Sequence, residues 1–165
     1  GPLFHASLIP AQENSGKLVT LVKQNALHFA RDAQRELVLV DGPPGIGCPV
    51  ISAASGANLA LIVVEPSMAG IHDMRRVFET TGHFQIPALV CINKPDIYAK
   101  GAAEIKSFCQ AEDIPMIGEI PFDLSVTEAM VKGKPVTEYA PEAPASMALR
   151  NIWSQVMEIL LEEPA

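Results

Sequence analysis

Three short strings concentrate side chains suited to a phosphate-bearing ligand. Asp41 ends an apolar run over residues 37–40 and precedes Gly42-Pro43-Pro44-Gly45-Ile46-Gly47. A carboxylate there can hold Mg²⁺ through a water molecule, the Walker-B role, and the loop around Gly45 can sense a terminal phosphate. Alternating prolines and glycines stiffen the backbone at some points and allow close approach at others, at a cost in stability unless something is bound. Capping a helix that begins near Pro49 is the competing role for Asp41. The second string, Asn93-Lys94-Pro95-Asp96, fits the N-K-x-D pattern that reads a base. An Asn93 amide both donates and accepts, so it matches a purine edge. Lys94 can lay its aliphatic stem along the ring. Asp96 can accept two hydrogen bonds from guanine, while a plain turn of Asn, Pro and Asp is the alternative. In the third string, Pro121-Phe122-Asp123, backbone groups can meet an adenine edge, the Pro121 ring can pack on its face, and Asp123 can cap a helix.

One piece of phosphate chemistry is missing from the sequence. A P-loop reads G-x-x-x-x-G-K-[ST], and Gly16-Lys17 meets neither end of it. Position 11 is Ala11, and Lys17 is followed by Leu18, which has no hydroxyl for Mg²⁺. The remaining candidates are bland. His5, His28, His72 and His83 are scattered, and Arg75 and Arg76 read as a solvated face. Cys48, Cys91 and Cys109 form no C-x-x-C pair and are expected to be three buried, reduced thiols. A net charge of −7 argues against direct nucleic-acid binding. No apolar run approaches the ~20 residues of a membrane span, and no secretory signal opens the chain, so a cytoplasmic location is expected.

The elements that must position these strings follow from patterning. Apolar runs at residues 37–40, 59–64, 88–92 and 116–120 are non-alternating, as in strands buried on both faces. Helical stripes lie between them: Leu18, Leu21, Val22, Ala26, Phe29, Ala30 and Ala33, with Asn14 or Ser15 as cap; Ile71, Met74, Val77 and Phe78; Ala102, Ile105, Phe108 and Cys109; Val126, Ala129 and Met130, stopped at Gly133; and Leu149 to Leu160. Strand–helix alternation implies an α/β fold, a mostly parallel β-sheet flanked by helices, over residues 1–165 as one domain. In such sheets chemistry gathers at the carboxyl ends of the strands, where all three strings fall.

Together these residues resemble the MinD/ParA/Mrp (CobQ/CobB/MinD/ParA) family of P-loop ATPases, closest to its ferredoxin-inserted branch. Glu13-Asn14-Ser15-Gly16-Lys17-Leu18-Val19 resembles the segment after the ferredoxin insert. The string from Asp41 to Pro49 resembles the Walker-B and switch region, and residues 127–136 the helix before Gly-x-Pro-Val. The resemblance implies a partial P-loop NTPase (Rossmann-like) fold: the C-terminal part of an ATPase, with the P-loop strand and the ferredoxin insert absent. It implies ATP and Mg²⁺ as cofactors of the intact protein, with Asp41 helping to hold Mg²⁺ and Asn93 and the 121–123 turn contacting adenine. Iron–sulfur clusters belong only to the absent insert, and ATP-promoted homodimerisation is expected. Hydrolysis would require the missing part, so this chain is expected to be inactive alone. A non-catalytic interaction module and a GTP-binding switch domain are the rivals. In the family the P-loop strand separates the Asp41 strand from the 59–64 strand. The gap is therefore expected to close by direct pairing, by a strand from another copy, or by residues 2–9.

Overall fold

The computed structural model describes residues 1–7, 15–45 and 47–162. Asn14, Ile46 and residues 8–9, each singled out above, lie outside them. Ten elements follow: α1 (Ser15–Asp32), α2 (Cys48–Ala54), β1 (Ala60–Val64), α3 (Met68–His83), β2 (Ala88–Asn93), α4 (Ala99–Ala111), β3 (Met116–Ile120), α5 (Leu124–Val131), α6 (Val136–Tyr139) and α7 (Pro144–Glu162). The strands form one parallel sheet in the order β1-β2-β3, with Ala60 opposite Ala88 and Asn93 opposite Ile120. Parallel neighbours need crossover connections, which α3 and α4 supply.

Central β2 is apolar because both its faces are covered. Successive side chains point to opposite sides, so Val90 and Ile92 join Ile62, Val64, Ile71, Met74 and Ile105 beneath α3 and α4. Leu89 and Cys91 join Ile117, Ile152 and Val156 beneath α7. Two caps expected from sequence are in place. The Asp123 side chain accepts from Ser125 N–H at the start of α5, and Gly133 adopts φ +63° just past its end.

The amino-terminal third departs from expectation. Residues 37–40 form no strand, and Leu39 is 78% exposed. A parallel strand is stable when its backbone groups are paired and its faces covered. Neither condition is met here, because β1 has no neighbour on its outer edge among the described residues. Direct pairing of residues 37–40 with β1 therefore does not close the gap. Residues 1–7 do not fill it either: they form no strand, and Phe4 packs on Phe29 at 5.5 Å between ring centroids. The α7 layer packs on β3 and stops short of β1, leaving Leu61 and Val63 exposed. The stripe of α1 faces no sheet. Leu21, Leu27 and Phe29 are exposed, and α1 packs on α2, where Gly16 admits Cys48 and Ser52. Lys23 Nζ donates to the carbonyls of Ala53 and Ser55, both at 2.7 Å, and its partial burial lowers its pKa.

Candidate functional site

The carboxyl ends of β1, β2 and β3 each run into one of the polar turns: Glu65-Pro66-Ser67, Asn93 to Asp96, and Pro121 to Asp123. Backbone geometry locks the last two together. Lys94 takes up φ +57°, a left-handed conformation uncommon outside glycine. Its N–H donates across to the Ile120 carbonyl at 2.7 Å. Two residues on, Asp96 Oδ1 accepts from Phe122 N–H at 2.9 Å. Strain of this kind persists where the surroundings over-determine it, and it often marks functional turns.

Glu65 joins the same cluster from β1. Its Oε1 accepts from Lys94 Nζ at 2.6 Å and, at the longer distance of 3.4 Å, from Asn93 Nδ2. Both members of the ion pair face solvent, so its contribution to stability is small. Beside it opens a cleft of about 360 Å³, walled by Pro66, Met68, Ile97 and Tyr98 with Glu65 and Lys94 at its polar end.

Asp123 is committed to structure. Oδ1 accepts from Ser125 N–H at 2.9 Å and Oδ2 from Ala145 N–H at 3.2 Å, joining the starts of α5 and α7. The Ser125 and Ala145 bonds, in that order, hold its carboxyl below the usual aspartate range.

The structure thus gathers Asn93, Lys94, Asp96, Pro121, Phe122 and Asp123 along one edge of the sheet. It does not support Asp41 in the same way. Asp41 is exposed at the end of the unpaired 37–40 segment, and Gly45 follows at φ +85° in a loop outside the sheet. Among the described residues no group of three or more His, Cys, Asp or Glu could hold a metal ion. Asp41 therefore fits Mg²⁺ only as one donor among waters and nucleotide phosphates, an arrangement usual for that ion. Arg75 pairs with Glu104 at 3.2 Å and lies over the Phe108 ring, so it ties α3 to α4.

Three residues of this edge escape a motif reading. Glu65 belongs to no base-reading pattern. Gly70 and Gly101 sit in the first turns of α3 and α4, where a Cβ would collide with the Glu65 and Pro66 carbonyls respectively. Glycine inside a helix costs roughly 1 kcal/mol relative to alanine, and that local penalty was the available signal.

The ParA family model, described as NUBPL iron-transfer P-loop NTPase, matches residues 16–157. A Methanocaldococcus jannaschii protein of uncharacterized function is 34% identical over 125 residues, covering 76% of this chain and 40% of its own length. The iron-sulfur cluster carrier protein of Pyrococcus abyssi is 26% identical over 161 residues, covering 89% of this chain and 54% of its own. The septum site-determining protein MinD from Pyrococcus horikoshii, solved with Mg-ADP, superposes with a TM-score of 0.68 at 20% identity, over 89% of this chain and 58% of that one. The chain spans about half the length of the curated relatives it matches.

Proposed function

The chain belongs to the ParA family of P-loop NTPases, and from that premise we propose that it forms the base-binding, C-terminal part of a MinD/ParA-type ATPase. The observation that carries this reading is the locked pair of turns, where Lys94 N–H meets Ile120 and Asp96 meets Phe122 N–H. These bonds hold Asn93 beside Pro121, as an amide and an apolar ring must stand to meet a base edge and face. Adenine suits the turns better than guanine. Guanine would call on both Asp96 oxygens, and the bond from Phe122 N–H to Oδ1 already fixes how that carboxylate is turned.

In the assembled enzyme, a P-loop from sequence outside these residues would cradle the phosphates. Asp41 would then act on Mg²⁺ through water, and Gly45 would give the switch loop its freedom. Magnesium, when bound, neutralises charge developing on the transferred phosphate. Asp41 would hold the ion through a water molecule, and Asn93 would fix the base. Homodimer formation and a cytoplasmic location complete the proposal. Iron–sulfur clusters, prominent in the names of several relatives, would be held elsewhere in the whole protein.

A second reading, a non-catalytic interaction module, draws on the exposed apolar residues Leu39, Leu61 and Val63. Calorimetric titration with Mg-ATP, with GTP as control, separates the two. The phosphate cradle supplies several charge-assisted hydrogen bonds, each worth roughly 1.5–3 kcal/mol. Binding by this chain alone should therefore be weak, and a chain extended to include a P-loop should bind ATP tightly. An extended chain that binds no nucleotide would overturn the ATPase reading in favour of the interaction module.

A further inference from the structure

We propose that Glu65 sets the hydrogen-bonding sense of Asn93, and so biases the site toward a purine that carries an amino group at position 6. The inference rests on the base-binding reading above. A carboxylate only accepts hydrogen bonds, so the Asn93 amide must turn its NH₂ toward Glu65 Oε1, 3.4 Å away. Its carbonyl oxygen is then the group left to meet a ligand. The exocyclic group at position 6 of adenine is an amino donor, whereas in guanine it is an oxygen acceptor. An outward carbonyl pairs with the first and repels the second.

The orientation is held from two sides. Lys94 Nζ, at 2.6 Å, pins the carboxylate. The Glu65 backbone is fixed between β1 and the buried Pro66, with the first turn of α3 brought against its carbonyl by Gly70. Asp96 Oδ1 accepts from Phe122 N–H, which ties the second turn to the first. Lys94 is thereby tied to Glu65 while still facing solvent, and the two turns act as one recognition unit. Since Glu65 faces solvent and the Asn93 contact is long, a preference of roughly two- to tenfold is expected from this source.

The test is an NMR titration of the ¹⁵N-labelled chain with Mg-ATP and with Mg-GTP, following the Asn93 side-chain amide and the Phe122 backbone amide. Weak binding is readable by this route. Three proteins are compared: the parent chain, Glu65→Gln and Glu65→Ala. Glu65→Gln can donate to the Asn93 carbonyl and so turn its NH₂ outward. The ATP-to-GTP ratio of dissociation constants should move toward GTP by roughly two- to tenfold in Glu65→Gln, and less in Glu65→Ala. An unchanged ratio, or equal weakening of both nucleotides, would overturn the role of Glu65 while leaving the base-binding reading intact. Absence of any nucleotide-dependent shift in the parent would overturn both. Because Glu65 is exposed, unaltered backbone dispersion in the variants is expected and confirms that the comparison is between folded chains.

Discussion

Replacing Gly101 by alanine tests how tightly the β1–α3 turn is held against α4. An added Cβ would collide with the Pro66 carbonyl and lie 2.6 Å from Tyr98 Cδ1 and 2.9 Å from Cε1. Carbon atoms pack best at about 3.5–4.0 Å, so the overlap with the ring is close to 1 Å. Tyr98 is partly exposed and can rotate. Pro66 is buried between β1 and the Ser67 cap of α3, so its carbonyl cannot yield without moving the start of α3. Relief must come from the first turn of α4 backing away, and overpacking of this kind costs roughly 1–3 kcal/mol. Alanine offsets part of that, about 0.4–1 kcal/mol, by restricting the unfolded chain. A net loss of about 1–2 kcal/mol is expected.

The control is Gly82→Ala in α3, where an added Cβ meets nothing within 4 Å. There only the favourable term acts, and a gain of about 0.4–1 kcal/mol is expected. Urea unfolding of both variants, with matched m-values, measures the contrast. A Gly101→Ala variant as stable as the parent would refute the argument, since the two turns would then have slack where the structure shows contact.

Further predictions follow from the same geometry. Asp123→Ala should lower the melting temperature at pH 7. Because the native carboxyl titrates below its unfolded value, about 3.9, its contribution is present above that value and lost as pH falls through the native one. The gap between parent and variant should therefore shrink toward pH 2; a constant gap would point to packing rather than to the carboxylate. A thiol reagent at pH 8 should modify Cys48 rapidly and leave the other two cysteines until the chain unfolds. Cys91 is buried, and desolvation with the nearby Glu119 charge pushes its pKa to about 11; burial also raises that of Cys109. Two fast-reacting thiols would contradict the packing around β2. Finally, the open edge of β1 and the apolar 37–40 segment should promote strand pairing between copies. Light scattering should show mass rising with concentration in the parent and less so in a Leu39→Lys, Val63→Lys variant, whereas a monomer throughout would exclude that pairing.

What sequence could reveal depended on whether the cause was local. The runs at 59–64, 88–92 and 116–120 became β1, β2 and β3 because each finds a neighbour within the chain. Residues 37–40 carry the same pattern without one, and patterning cannot register a missing partner. Asp123 was legible as a cap because capping is a local bond. Cys48 was expected to be buried with the other thiols but is exposed at the start of α2. That helix packs on α1 rather than on the sheet, and such docking choices leave no periodicity to read. The α1 stripe shows the same limit: its 3.6-residue spacing specifies a helix, not which surface will cover it. Glu65-Pro66 was legible as the end of the 59–64 run, but the contact of Glu65 with Asn93 spans 28 residues and leaves no local pattern.

The two halves of the site differ in how well they are prepared. On the side proposed to meet the base, Lys94 N–H, Asp96 and Asp123 spend their hydrogen bonds on neighbouring backbone, so the turns hold their shape without a ligand. On the phosphate side, Asp41 ends an unpaired segment and Gly45 sits in a loop with no sheet beneath it. Ordering a chain segment costs on the order of 1–2 kcal/mol per residue. A ligand binding this chain would have to meet that cost over the Asp41 segment, while gaining the base contacts nearly free of it. The asymmetry implies that affinity for a nucleoside portion should survive in this chain better than affinity for phosphate. ATP, ADP and AMP should then differ little from one another here, and separate only when a P-loop and its strand support Asp41.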